Sequence, residues 1–413
     1  AGDATITGQL SAKVSVFWGV ASAKLGIYPI AEFGVAAEYT EVDGLETGIY
    51  GTLSIKWKAV AKIAGFKKKK RGTLYEGTLF GDAPSLKGLA IDDDELLEPI
   101  DESDNFATPH VAADANGNAM VIWVDDVDPR QDAVDPDLFY ALWDGTGFST
   151  ARTVVQPNQA GEMDPVVAFD NLGNAFAVWT QNKVPLGLTP TLTEALISLD
   201  IYYARWDGQT GRWSDPRPIT NDSLPDGQVS LSFDTEGNGL ALWVHCLDAD
   251  LLTRNDWEIH YAVWDPVAQS WSDPAPVSHN SAADYDVTVA HAPDGTAVAV
   301  WAQDGDGDFL DTSDSDLFSA AWDGTAWTPS QRITADSQIE DQPDLVFSAD
   351  GTAYLLWHAD EEIPDPNGVD RLIVIDRLVV SQWDAQSQFW REPHEVLRSD
   401  QFLDEPQIAI RAE

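Results

Sequence analysis

The chain has 413 residues, 44% of them apolar, which is enough for two or three ordinary cores. It carries 24 Lys and Arg against 69 Asp and Glu, a formal net charge of −45. No run approaches the ~18–20 consecutive apolar residues that a membrane helix needs, so no membrane span is expected. One cysteine, Cys246, excludes an intrachain disulfide and reads as a buried thiol on a strand.

The charge is unevenly distributed. Residues 1–90 hold 11 basic and 8 acidic residues, leaving 13 basic and 61 acidic in the remainder. So acidic a body repels nucleic acid and anionic lipid, which are excluded as its partners. It fits a salty or calcium-rich exterior, or a surface that attracts cations and basic partners, so an extracellular or cell-surface location is expected. The opening AGDATITG lacks both an initiator methionine and a charged-then-apolar leader, and reads as a processed chain.

Residues 1–85 alternate apolar and polar side chains, as in QLSAKVSVFWGV and GTLSIKWKAVAKI, with Gly-rich turns between. The pattern predicts a small, mildly basic antiparallel β-domain. Lys67, Lys68, Lys69, Lys70 and Arg71 fall between two of its strands and are expected in a loop or at a strand end. Their charge offers a route to self-association with the acidic face of a second copy.

From residue 86 to 413 the chain is repetitive. A Gly-containing tetrad followed by an apolar run ending in Trp recurs as ANGNAMVIW, NLGNAFAVW, TEGNGLALW, PDGTAVAVW and ADGTAYLLW. The tryptophans are Trp123, Trp179, Trp243, Trp301 and Trp357. A second series follows at Trp143, Trp206, Trp264, Trp322 and Trp383, and a third aromatic at Phe148, Trp213, Trp271, Trp327 and Trp390. The repeats run over about 105–156, 157–220, 221–278, 279–334 and 335–398.

Each repeat holds four short runs of strand character. In the second they are PVVAFD, NAFAVWT, DIYYARWD and WSDPRPIT, with hairpin-length turns at Gly173 and Gly208. Four antiparallel strands per repeat predict an all-β fold, a β-propeller of four-stranded blades, with a stacked β-solenoid as the competing architecture. The segment 405–411 matches a first strand and ELLEPIDESD a fourth, so a shared sixth blade is expected, its middle strands drawn from residues 72–91. Tryptophans that recur at one place in every blade are expected to pack between blades. Trp257 falls outside the pattern, in a predicted loop, and is a candidate ligand platform.

In such a blade the connection from the second to the third strand and the connection onward leave on one face. Here they are long and acidic. Asp125, Asp126 and Asp128 lie there in the first repeat and Asp360 in the fifth, as candidate binding residues for a protein or glycan partner. In the fourth repeat the stretch DGDGDFLDTSDSD begins at Asp304. Calcium takes ~6–8 oxygen ligands, which makes Asp304, Asp306, Asp308 and Asp311 candidate calcium ligands, with a solvated acidic loop as the competing reading. Phe309 and Ser315 stand where an EF-hand needs Gly and an acid, and that motif is excluded. The seven histidines show no metal-ligand spacing, and His245 and His358 read as rim residues.

The turn WDGTAW (Trp322–Trp327), with WDGTGF and WDGQTGRW, resembles a degenerate Asp-box of the sialidase-like propellers. The resemblance spans residues 100–413 and implies architecture alone. Sialidase chemistry implies three arginines converging on a carboxylate and a Tyr–Glu pair, and no such triad stands out in this sequence. The expectation is a non-enzymatic, calcium-stabilised propeller for adhesion or assembly; the alternative is a carbohydrate-active enzyme or lectin using the acidic face.

Overall fold

The computed structural model describes residues 3–7, 10–14, 21–40, 44–63, 66–78, 98–99, 109–114, 116–126, 136–155, 160–185, 192–248, 256–305, 315–335, 338–364, 372–384, 389–399 and 406–410. The chain divides into two compact units, residues 1–100 with 189–192, and residues 101–188 with 193–413.

The first unit is one antiparallel sheet. Asp3–Thr7 and Leu10–Val14 both pair with the long strand Ala21–Thr40, which pairs along its whole length with Gly44–Ile63. Phe66–Thr78 and then Glu98–Pro99 follow outward. Of the two places expected for Lys67–Arg71, a loop or a strand end, they take the second: they occupy the beginning of the strand Phe66–Thr78, where their backbone pairs with Lys58–Lys62. The expected source of a sixth blade is corrected. Residues 72–78 are committed to the same strand, and Glu98–Pro99 pair with Phe66 and Lys67, so neither supplies strands to a sixth blade. Residues 79–91 lie outside the described residues.

The second unit is built of five consecutive antiparallel sheets, the blades. Their first three strands are His110–Ala113, Ala119–Asp126 and Pro136–Trp143 in blade one, and Gly161–Phe169, Ala175–Asn182 and Leu199–Asp207 in blade two. Blade three has Asp226–Phe233, Gly239–Cys246 and Trp257–Asp265; blade four has Ala283–His291, Ala297–Asp304 and Ser315–Trp322. Blade five has Ile339–Phe347, Ala353–Pro364 and Leu372–Asp384. The fourth strand is short and in blades two, three and five it is broken in two, both pieces pairing with the third strand. The first strand of each blade lies against the first strand of the next, as a propeller requires.

The second strands are the apolar runs read in the sequence. Ala175–Asn182 and Gly239–Cys246 are buried along their entire length. A strand flanked by strands in its own sheet and by another sheet on each face has no solvent side, which is why its apolar residues run on without alternating. Cys246 closes one such strand at 1% exposure, and burial raises its thiol pKa.

Turn chemistry sets the hairpins. In the first blade the Asp114 carboxylate accepts from the backbone N–H of Asn116 and Asn118, and Asp170 and Asp234 repeat this in the next two. The glycine between is obligatory in shape: Gly117, Gly173, Gly237, Gly295 and Gly351 have φ of 77–89°. Between third and fourth strands Asp144, Asp207, Asp265 and Asp323 close their own turns in the same way. These Asp-box-like aspartates are turn residues.

Aromatic rings bind one blade to the next. The third-strand tryptophan packs in a tilted to edge-on geometry against the aromatic after the turn, at centroid distances of 5.2–5.6 Å in all five blades. A tyrosine from the preceding blade then closes over the pair: Tyr140 over Trp206 and Trp213, Tyr203 over Trp264 and Trp271, Tyr261 over Trp322 and Trp327. Hydrogen bonds between first strands add a second tie. Val167 N donates to His110 Nδ1 at 3.2 Å, Val289 N to Ser230 Oγ at 3.0 Å, and Ile408 N to Asp344 Oδ2 at 2.7 Å. The last bond sets 406–410 beside blade five in the position of a next first strand. Replacing Trp264 by Ala removes a ring 3% exposed that contacts Phe176, Tyr203 and Trp271. Unfolding free energy should fall by about 3–5 kcal/mol in a urea titration.

Candidate functional site: the acidic seams between blades

At the end of the blades where the first strand begins and the second ends, register aligns three residues across each sheet. Glu162 faces Gln181, which faces Asp200. Asp226 faces His245, which faces Glu258, and Asp284 faces Gln303, which faces Asp316. The acids at both ends of each row are buried, and so are Asp137 in blade one and Glu340 in blade five. At four consecutive seams a buried acid on a third strand is followed by a buried acid on the first strand of the next blade: Asp137 and Glu162, Asp200 and Asp226, Glu258 and Asp284, and Asp316 and Glu340. The first acid of each pair opens a third strand, and the second belongs to the first strand of the next blade.

A hydroxyl at the end of the fourth strand sits at three of these seams. Ser278 Oγ donates to Glu258 Oε2 at 2.6 Å while accepting from Ile259 N at 2.8 Å. Thr334 Oγ1 stands 3.4 Å from Asp316 Oδ1 and 3.3 Å from Glu340 Oε2. Thr220 Oγ1 stands 3.4 Å from Asp200 Oδ1. A hydroxyl has one proton, so it serves one carboxylate of a pair at a time. Cations supplement it unevenly. Lys183 pairs with Asp200, Arg332 with Asp316, and His245 Nδ1 lies 2.7 Å from Asp226 Oδ1. At the Glu258–Asp284 seam the close donors are Ser278, the backbone N–H of Asn280, and the amides of Asn280 and Gln303. Burial pushes Asp284 up to about 6 despite the hydrogen bonds from Ser278 and Gln303.

Nearer the axis, each first strand of blades two to five has a β-bulge at the same place. It holds Asp164, Gln228, Asp286 and Gln342 at φ of 46–51°. Left-handed backbone is uncommon for a residue with a side chain. Neighbouring bulges hold one another in place: Asp286 N donates to Gln228 Oε1 at 2.7 Å and Gln342 N to Asp286 Oδ2 at 3.1 Å.

In blade five His358 takes a central place. Its Nδ1 is 2.8 Å from Asp341 Oδ1 and its Nε2 3.2 Å from Asp360 Oδ1, with Asp376 Oδ2 at 4.0 Å. Burial works against an imidazolium, but the Asp341 and Asp360 carboxylates outweigh it and raise the pKa to about 10. His358 is thus a buried cation, not the rim residue its position suggested. His245 is likewise buried, at 8% exposure.

The residues singled out from sequence are distributed as follows. Trp257 is corrected: it is the first residue of a third strand, paired with Cys246 and 1% exposed, so its ring belongs to the core and cannot stack on a ligand. Asp125 is the next-to-last residue of a second strand, exposed and opposite Asp137. Asp126 is the last residue of that strand, and its side chain lies outside the described residues, as does Asp128. Asp360 is engaged with His358. Asp304 ends the second strand of blade four and is 3% exposed, while Asp306, Asp308 and Asp311 lie outside the described residues. The sequence shows that the long connections at this end of the blades are acidic, but not that the seam acids are buried. Sequence reading missed Thr220, Ser278, Thr334 and Asn280, whose partners are some 20 residues away and fixed only by strand register.

The titrations give a signed prediction. Asp284, at about 6 in the fold against about 3.9 unfolded, adds stability as pH falls from 6 toward 4 and loses it as pH rises through 6. His358 contributes fully below about 6.5 and its contribution is lost as pH rises toward 10. The turn acids Asp207, Asp294, Asp323 and Asp350 are lowered by their turn hydrogen bonds and lose their contribution as pH falls below the ordinary carboxylate range. Burial lowers His110, His260 and His291 to about 4, 3 and 4, so over about pH 4–6.5 they gain stability with rising pH while Asp284 loses it. Melting temperatures should fall below about pH 4, where the turn acids are protonated, and fall again as pH rises from about 6.5 toward 10, where His358 loses its advantage. A melting temperature that rises between pH 7 and pH 9 would contradict the assignment of His358.

No protein-family model and no curated protein matches the chain. Among solved structures it is similar to a protein of unknown function from Dyadobacter fermentans, at 15% identity and a TM-score of 0.44, covering 67% of this chain and 89% of that one. It is similar to a Hadza microbial sialidase at 12% identity and TM-score 0.43, covering 81% and 67%. It is also similar to a PL25 ulvan lyase at 10% identity and TM-score 0.47, covering 88% and 83%. Likeness at this level carries no inference about chemistry. The assignment rests on the molecule itself: five four-stranded blades in series, with an aspartate closing the turn before the fourth strand, make the large unit a β-propeller of sialidase-like architecture.

Proposed function

We propose that the chain is a non-enzymatic binding or assembly propeller, stabilised by calcium and working outside the cell or at its surface. The observation that carries this reading is the repetition of buried acid pairs at four consecutive seams. Glycoside hydrolysis needs two carboxylates on either side of a bond, within reach of substrate. The eight seam carboxylates are at most 4% exposed, and the arrangement recurs from seam to seam, so they serve the ring. Paired buried acids cost free energy unless protons, cations or hydrogen bonds offset them.

Lys183 and Arg332 answer that cost at two seams. Calcium, which takes carboxylate oxygens, is proposed to answer it at the loop face, in the segment opened by the nearly buried Asp304 and continued by Asp306, Asp308 and Asp311. A protein or glycan partner is proposed to engage the same face, through Asp125, Asp126, Asp128 and Asp360. Lys67–Arg71 is proposed as a contact for a second copy, with association weakening as salt rises.

Two measurements test the reading. A melt of the calcium-loaded protein should exceed that of the chelated protein, because a ligand bound only by the native state raises its stability. An unchanged midpoint would exclude calcium. A hydrolysis screen over acidic and neutral glycans should show no turnover, and turnover would favour the carbohydrate-active alternative.

A further inference from the structure

Successive seams carry different side chains at equivalent positions, and the difference converts one of them from a hydrogen-bonded acid pair into a set of metal ligands. In the seam between blades three and four both oxygens of Asp284 have amide donors. Gln303 Nε2 reaches Oδ1 at 2.6 Å, and Asn280 Nδ2 reaches Oδ2 at 2.8 Å. In the seam between blades two and three Asp226 takes the place of Asp284. Gln303 is replaced by His245, which faces Asp226 as Gln303 faces Asp284. Asn280 is replaced by Asp222, two residues beyond the fourth-strand hydroxyl in each case.

The loop backbone is kept. Asp222 N donates to Asp200 Oδ1 at 3.2 Å, as Asn280 N donates to Glu258 Oε1 at 2.5 Å. Only the side chains have changed, each from an amide donor to a ligand type. One oxygen of Asp226 is well served: Oδ1 accepts from Trp243 Nε1 at 2.9 Å and lies 2.7 Å from His245 Nδ1. The other is not. By distance and angle Oδ2 has no hydrogen-bond partner among the described residues although Asp226 is 0% exposed. The Thr220 hydroxyl lies near enough to favour the carboxylate, but it stands also 3.4 Å from Asp200 Oδ1, and the place of the Asn280 amide is taken by a carboxylate. A charge-paired imidazolium would satisfy Oδ1 and leave Oδ2 as it is. Asp222, Asp226 and His245 each offer a ligand atom within 4.8 Å of the others, and exposed Asp222 gives access from the loop face.

We propose that Asp222, Asp226 and His245 bind a divalent first-row transition ion of the Zn2+ type. An imidazole nitrogen with carboxylate oxygens suits such an ion, whereas calcium takes oxygen ligands and more of them. A bound dication supplies the positive charge that the buried Asp226 oxygen lacks and removes the repulsion from Asp222. The site is separate from the calcium loop of blade four, so a melt insensitive to calcium leaves it standing.

The test uses the full chain, stripped with chelator and titrated with Zn2+, Ca2+ or Mg2+ by calorimetry, with thermal melts alongside. The protein is expected to take up one equivalent of Zn2+ with a rise in melting temperature, and neither other ion should compete at equal concentration. The double variant Asp222→Asn/His245→Gln installs the donor set of the next seam. It is expected to fold, to melt no lower than the stripped protein, and to bind Zn2+ at least about 100-fold more weakly. If it fails to fold, Asp222→Asn alone restores the missing donor and should still weaken binding at least about 10-fold. Absence of stoichiometric Zn2+ uptake, or equal affinity in the variants, overturns the proposal.

Discussion

The ring depends on solving one electrostatic problem repeatedly: two carboxylates buried where neighbouring blades meet. Water is excluded there, so the interaction between like charges is many times stronger than on a surface. Each seam must therefore supply protons, donors or cations locally. The solutions differ: a lysine at Asp200, an arginine at Asp316, amides and a serine at Glu258 and Asp284, a histidine at Asp226. The scaffold is regular and the chemistry fitted to it is not. That combination lets one fold carry different ligand capacities at equivalent positions.

The acids also do structural work that an apolar seam would not. The third-strand acid at these seams anchors the residues entering the next blade: Asp222 N bonds to Asp200, and Asn280 N to Glu258. These bonds fix the path of the chain between blades at the end opposite the tight turns. The aromatic triplets of Trp, Trp and the preceding blade's Tyr hold the seams further out. Bulge residues Gln228, Asp286 and Gln342 hold them toward the axis. Apolar packing supplies most of the free energy, while the polar contacts set register and spacing from blade to blade.

Much of this was legible in the residues. The repeat, the four strands per unit and the turn glycines follow from local rules, because period, hairpin length and positive φ are properties of a few adjacent residues. The packing role of the recurring tryptophans followed from their repetition. What failed were the inferences that depend on partners. Trp257 read as a loop residue because it falls outside the recurring tryptophan positions, yet pairing with Cys246 draws it into a strand and buries it. Lys67–Arg71 read as a loop or strand end because the run lies between two alternating segments, and pairing with a long partner strand sets it at the beginning of Phe66–Thr78.

Sequence by itself determined a propeller, its blades, its turns and an acidic end where its long connections emerge. It could not determine whether the acids at that end were wet or buried, nor which donors faced them. Those properties belong to seams between sheets, where a residue of one blade meets another some 20 residues further along. Only tertiary packing brings Asp222, Asp226 and His245 within ligand distance of one another, and gives His358 two carboxylates to hold its charge. Composition fixed how much negative charge the chain carries. The fold decided how deeply that charge is buried, and burial is what makes each seam acid depend on the donors and cations packed beside it.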